Sequence, residues 1–456
     1  MTEADTRNLG GARSSGAAAA PNPAGLRVVL DARPLQEPDR APLTAQYLDA
    51  LLRAYNDAPV DGESFALLLA SDAEDPTEEL TRLDVIGRRL LPPTRLLRSG
   101  ALTVDPFLLS GASLGAAWRA ERSGAAGSVY HAAGGSIPLA TGVPLVVTLL
   151  DLAPWELPGA YQRSVATRFG QRLRAQLLRD AAAVIVGSVA VARAARRLLH
   201  VRRERIHVVR LAARAAFRPA NGANGGMVAA GTRRRPSGAD PRAERDRLGL
   251  PERYVIYSGR YDARQDMNSL LSALRDLEQA GRPAGLAADE PWPPRVLFAG
   301  ATPDDRAALA RAAAREGVGE ALVYAPRLDD ERLAALVRGA RAALLPVVSD
   351  SAGLPAIEAI ACGVPVVASS VGALPEIVGA AGILVEPRDA RRLASALETV
   401  FLDDRVHATL AGAALERATT DGRSWADVAR ETRAVYASVG VARDPAVGNP
   451  ASAIPR

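Results

Sequence analysis

Two successive series of short apolar runs, with helical stretches between the runs, constrain this chain more than any other feature. The first series falls at 26–31, 65–71, 128–131, 144–150, 183–188 and 206–211, and the second at 253–258, 295–299, 321–325, 341–347, 364–369 and 382–385. Runs so short and so continuously apolar suit strands buried on both faces. Helical stretches separate them, among them Tyr47 to Tyr55, Tyr161 to Arg179 and Val189 to Leu199. Strands alternating with helices predict an α/β fold with doubly wound parallel sheets. At 456 residues the chain is too long for one hydrophobic core. The segment 219–247, rich in Gly, Asn and Arg, breaks the pattern and marks the boundary between two such units. Ligands are then expected between the two halves, at the C-terminal ends of both sheets.

The predicted layout is a disordered leader at 1–25, a first α/β domain at 26–215 and a linker with a flexible insertion at 216–250. A second α/β domain follows at 251–423, then a helix at 424–438 and a disordered tail at 439–456. The start of the chain lacks the charged-then-apolar layout of a signal peptide, and no apolar run is long enough to span a bilayer, so the expected compartment is the cytoplasm.

All 56 basic residues are arginine, and the net charge is +5. Every cationic contact therefore uses a planar guanidinium, and the charge favours an anionic ligand or acidic lipid headgroups. The arginines are spread along the chain with no zinc-finger or RNP-like pattern, which argues against nucleic acid. The single cysteine, Cys362, excludes an internal disulfide framework and suits a small buried position. No metal-ligand pattern is present.

Chemistry concentrates between Leu344 and Glu386. A buried strand ends near Val348, and the loop after it carries Asp350. Gly353 allows a close backbone approach, Pro355 suits the first turn of a helix, and Glu358 is expected inside that turn. Gly363 and Pro365 then stop the helix. Two carboxylates thus flank a helix N-terminus, able to accept bonds from sugar hydroxyls while the free amides meet a phosphate.

This segment closely resembles the signature of the family 4 retaining glycosyltransferases, also called glycosyl transferases group 1, in which two glutamates bracket Gly-Phe-Gly-Leu-Pro. Asp350 stands at the first glutamate, Ser351-Ala352-Gly353-Leu354-Pro355 at the loop and Glu358 at the second. Further likenesses follow in order along the chain. They are Leu26 to Leu35, Leu149-Asp151-Leu152, Asp180 to Ser188, Gly259 to Arg264, and Ser424-Trp425 at the head of the last helix. The resemblance implies a GT-B fold, two Rossmann-like domains facing across a cleft, with the last helix returning toward the first domain. It implies transfer of a sugar from a nucleotide-diphosphate donor to an acceptor hydroxyl with retained configuration, without an obligatory metal or other cofactor. The acceptor class it implies is a saccharide or lipid-linked molecule, as in polysaccharide biosynthesis.

Carried over residue by residue, Arg260 would meet the diphosphate, Glu358 the ribose and Asp350 the donor sugar, making Asp350 and Glu358 the catalytic pair. The amides at Gly353 and Leu354 would complete the phosphate cradle, with Arg264 and Gln265 beside it. Tyr47, His131 and Asp151 would lie on the acceptor side. From the residues alone, His131 is equally a satisfied core histidine, and Asp151 a cap on the turn that follows it. The arginines from Arg163 to Arg179 read as a solvated helix face or a contact with anionic membrane.

Several positions depart from the family's pattern. Neutral Gln265 replaces a lysine, Asp266 is expected to add an anion nearby, and Leu150 replaces a histidine. Leu43-Thr44-Ala45-Gln46-Tyr47 has lost both glycines of a phosphate-approaching loop, and Asp350 is one methylene short. Since Gln265 carries no charge, Gln265→Leu is expected to be nearly silent. Two readings therefore stand: an active transferase, or a transferase-like protein that scaffolds or regulates an active partner.

Overall fold

The computed structural model describes residues 25–92, 104–112, 127–219 and 239–440. The leader expected at 1–25, apart from Gly25, the centre of the insertion at 220–238 and the tail from 441 lie outside the described residues.

The first sheet contains β1 (Leu26–Asp31), β2 (Ser64–Ala70), β3 (Val85–Leu91), β4 (Gly127–Ala133), β5 (Leu145–Thr148), β6 (Ala183–Val186) and β7 (Ile206–Val208). They run parallel in the order β3-β2-β1-β4-β5-β6-β7, with Leu30 between Leu67 and His131. The second sheet contains β8 (Val255–Ser258), β9 (Val296–Ala299), β10 (Leu322–Tyr324), β11 (Ala342–Leu345), β12 (Val366–Ser369) and β13 (Gly382–Val385), ordered β10-β9-β8-β11-β12-β13. In each sheet the strand order reverses once, between β1 and β4 and between β8 and β11. There the loops at the strand ends diverge and leave a crevice. Helices cover both faces of each sheet, so the central strands are buried throughout and read as unbroken apolar runs.

β3 escapes the sequence reading for a physical reason. It is an edge strand carrying exposed Gly87 and Arg88 and half-buried Arg89, and so shows no continuous apolar run. The helix Pro42–Asp57 begins earlier than its apolar spacing suggests, because Pro42 already has the backbone angle of a first turn. Leu43 to Tyr47, the stretch that stands at the family's glycine loop without its glycines, therefore lie inside this helix. In the stretch expected as linker, Pro241–Arg247 forms a helix that packs on Asp330–Gly339, and Ala216 and Phe217 are buried in the second domain's core.

The final helix, Trp425–Gly440, packs on the first domain against Pro42–Asp57 and β4. Arg433 grips buried Glu63 through Nε and NH2, at 3.0 and 2.7 Å. Beside this pair runs a buried chain of polar groups. Tyr47 and His131 Nε2 both meet Thr148 Oγ1, at 3.1 and 2.8 Å; the Tyr436 hydroxyl meets His131 Nδ1 at 2.7 Å, and Tyr55 donates to Tyr436 at 3.2 Å. Burial pushes His131 down to about 3, so it is neutral. This corrects the acceptor-side expectation for Tyr47 and His131. Both are completely buried, and their polar atoms are spent on fastening the last helix to the first sheet.

Candidate active site

A cavity of about 1040 Å³ lies between the domains, at the switch point of the second sheet. Its wall includes Asp151, Arg260, Arg264, Gln265, Asp350, Gly353, Leu354 and Glu358, eight of the ten residues singled out from sequence. Backbone pairing of two loops brings most of them together. The loop after β8 joins the loop after β11 through a Gln265–Val347 bridge, Asp266 N–H to Pro346 O at 2.7 Å, and Val348 N–H to Arg264 O at 2.7 Å.

The β11 loop turns sharply into the helix Leu354–Ala361. Gly353 has φ +61°, and a Cβ there would stand 2.2 Å from Ile377 Cδ1. Gly372 is equally required, since a Cβ on it would meet the carbonyl oxygen of Asp350 at 1.7 Å. Pro355 occupies the first turn, as expected, whereas Glu358 is the fifth helical residue and sits one turn deeper than expected. Cys362 is buried at the end of this helix.

Asp350 holds the turn together: its Oδ1 accepts from Ala352 N–H at 3.0 Å and Gly353 N–H at 2.6 Å. Burial pushes its carboxyl up to about 6, opposed by those two N–H groups and by Arg264. Glu358 is almost fully buried, and burial raises its pKa while Arg214 lowers it. Arg214 Nε and NH2 clasp the two Glu358 oxygens at 2.6 and 3.0 Å, and its NH1 reaches Asp330.

The cations of the wall are already engaged. Arg260 donates from Nε to Asp305 at 2.7 Å and from NH1 across the cleft to Asp39 O at 2.7 Å. Arg264 is bound to Asp262 and, across the cleft, to Asp151 at 3.3 Å. Asp151 also accepts from Ala153 N–H at 2.8 Å, the turn-capping role anticipated for it. Gln265 is occupied too, because its Oε1 accepts from Asp262 N–H at 2.8 Å. Asp266 is not part of the cavity wall, and its carboxylate accepts from Arg388 N–H at 2.6 Å. Leu150, which stands at the family's histidine position, lines the cavity.

Further bonds cross between the domains. Ser351 Oγ accepts from Leu152 N–H at 3.0 Å, Ser349 donates to Glu156 at 2.6 Å, and Glu376 accepts from Val189 and Ala190 N–H at the start of helix Val189–Leu199. Sequence reasoning missed Arg214, Asp305 and Glu376. Only Arg214 carried a readable signal: a lone charge in Leu211-Ala212-Ala213-Arg214-Ala215-Ala216-Phe217 needs a partner once buried.

Chemically, the site offers a helix start for an anion, a deep carboxylate for hydroxyls and guanidinium groups from the loop after β8. Residues 44–212 match the family described as glycosyl transferase 4-like domain, and residues 252–403 the family described as glycosyl transferases group 1. O-antigen chain mannosyltransferase B of Escherichia coli is 32% identical over 154 residues, covering 33% of this chain and 37% of that protein. A D-inositol 3-phosphate glycosyltransferase of Nocardioides is 32% identical over 217 residues, covering 43% of this chain and 44% of that protein. These matches span less than half the length of the curated relatives. Sucrose-phosphate synthase from Thermosynechococcus elongatus superposes with a TM-score of 0.64 at 20% identity, over 91% of this chain and 98% of that one. Anabaena HepE in complex with UDP-glucose superposes with a TM-score of 0.63 at 16% identity, over 90% and 99%. At such identities the likeness is one of fold.

Proposed function

We propose that this chain, which belongs to the group 1 glycosyl transferases with the GT-B fold, moves a sugar from a nucleotide-diphosphate donor to an acceptor hydroxyl with retention of configuration. The observation that carries this reading is the convergence of Asp350, the helix start at Gly353 and Leu354, Glu358 and Arg260 on one interdomain cavity.

Each group has a physical role in the reaction. Breaking the bond to the donor sugar leaves negative charge on the departing diphosphate. The amides of the Leu354–Ala361 helix start and the Arg260 guanidinium stabilise that charge from fixed positions. Arg260 is pre-oriented by Asp305, and a diphosphate takes the place of Asp39 O at its NH1. Arg264 adds charge from the same loop, and Gln265 keeps that loop folded through Asp262. Glu358 accepts hydroxyls of the nucleotide ribose, and Asp350 those of the donor sugar. Asp151, at the tip of the first domain, faces the acceptor. UDP-glucose in the similarly folded Anabaena HepE supports a nucleotide-sugar donor.

The acceptor in this reading is a saccharide or lipid-linked molecule. A lipid-linked acceptor fits one surface feature: beside the helix Val165–Asp180, Arg163, Arg168 and Arg172 are exposed together with Val165 and Phe169. Cations interleaved with apolar side chains suit an anionic bilayer surface. No helix among the described residues is long and apolar enough to cross a membrane. Calorimetry with UDP and GDP tests the pocket. At least one should bind the wild-type protein and lose affinity in Arg260→Ala, and heat from neither would refute the reading.

A further inference from the structure

Arg214 lies on the crossover that joins the two domains, flanked only by alanines, Leu211 and Phe217. Its guanidinium is fully committed. Nε and NH2 form a fork on the two oxygens of Glu358, NH1 turns to Asp330 at the head of the helix Asp330–Gly339, and the plane stacks over the Phe217 ring at 4.7 Å. The side chains of Arg214 and Glu358 are only 15% and 5% exposed. Glu358 lines the main cavity, and Arg214 lines both it and a second one of about 890 Å³.

A guanidinium fork takes one lone pair from each carboxylate oxygen and leaves the other free. Two adjacent hydroxyls, such as those of a ribose, match the pair that remains. The fork also fixes the Glu358 rotamer, so its free lone pairs point one way.

We propose that Arg214 is a positioning residue for diol recognition, holding Glu358 ionised and in one orientation so that it binds the ribose of a nucleotide. This inference rests on the reading of Glu358 as the ribose-binding carboxylate. The charges around Glu358 support it. Arg214 is the cation on it, Asp330 is an anion on the adjacent helix, Asp49 of Pro42–Asp57 acts on Arg214, and Cys362 on the same helix has a thiol pushed up to about 12 and is neutral. Without Arg214, burial and Asp330 both favour the protonated acid, and the charge assistance to a ribose hydroxyl is lost.

The test is calorimetry on the full chain with whichever of UDP and GDP binds more tightly, and with its 2′-deoxy analogue. It is run at about pH 7 and about pH 8.5, above the last phosphate ionisation near 6. Wild type should prefer the ribonucleotide at both pH values. Arg214→Met should weaken it by roughly ten- to hundredfold at the lower pH, with partial recovery at the higher, and should erase the preference for ribose. Arg214→Lys, which keeps the charge without the fork, should lose roughly three- to tenfold with no dependence on pH.

Wild-type affinity and ribose preference in Arg214→Met would overturn the proposal. Should Arg214→Met fail to fold, Arg214→Lys decides: an affinity that falls as the pH is lowered overturns it, and a flat, weakened one supports it. Absence of binding by the wild-type protein would instead overturn the pocket reading, and this inference with it.

Discussion

Replacing Asp350 with asparagine should separate the stability of the fold from the chemistry of the cleft. Asp350 Oδ1 accepts two backbone N–H groups, and an asparagine oxygen can accept both. The substitution therefore keeps the turn and removes only the charge. That charge is costly, because burial raises the carboxyl from its ordinary 3.8 to about 6. A shift of that size corresponds to at most about 3 kcal/mol, and partial exposure to the cavity reduces it to about 1–2 kcal/mol.

The sign follows from linkage. For a group whose folded-state value is raised, the favourable contribution is complete below the unfolded value and is lost as the pH rises through the folded one. For Asp350 the window is 3.8 to about 6. Asp350→Asn should thus match wild type at about pH 3, below the window, and exceed it by about 1–2 kcal/mol near pH 8. Over the same change, turnover should fall by roughly ten- to hundredfold, because the donor sugar loses a charged acceptor. Denaturant unfolding at the two pH values, with a donor-turnover assay beside it, measures both. A variant less stable than wild type by the same margin at both pH values would refute the reasoning.

Gln265→Leu should lower stability by about 1 kcal/mol and weaken nucleoside-diphosphate binding, because the Gln265 carbonyl caps Asp262 N–H; calorimetry and unfolding matching wild type would restore the silent expectation. Tyr436→Phe should cost about 1–3 kcal/mol by leaving buried His131 Nδ1 without its 2.7 Å partner. Thermal unfolding of the whole chain reads this out, and turnover per folded molecule should be unchanged, since the tyrosine lies outside the cleft.

Legibility from sequence followed burial. Strands buried on both faces must be continuously apolar, so nearly every one was visible, including β12 at Val366–Ser369. β3 was not, because a sheet edge tolerates Arg88 and Arg89. Within the site, spacing around the Gly353 turn places Asp350 and Glu358 correctly in the cavity wall, since helix geometry links them. What sequence could not supply were partners from distant elements. Glu358 and Arg214 are 144 positions apart and Arg260 and Asp305 are 45 apart, so neither pairing leaves a local pattern. Tyr47 and His131 misled because a polar side chain on a helix or strand reads the same whether it faces a cleft or a buried hydroxyl such as Thr148 Oγ1. Gln265 was judged by the charge it lacks, while its actual bond is to a backbone N–H three residues away.

The most direct test of the central claim is turnover with a panel of UDP-, GDP- and dTDP-sugars, following nucleoside-diphosphate release and the anomeric configuration of the product. The account predicts release above the buffer rate with at least one donor, retention at the anomeric carbon, and loss of the reaction in Glu358→Ala. No release with any donor, or release that Glu358→Ala leaves intact, would contradict it.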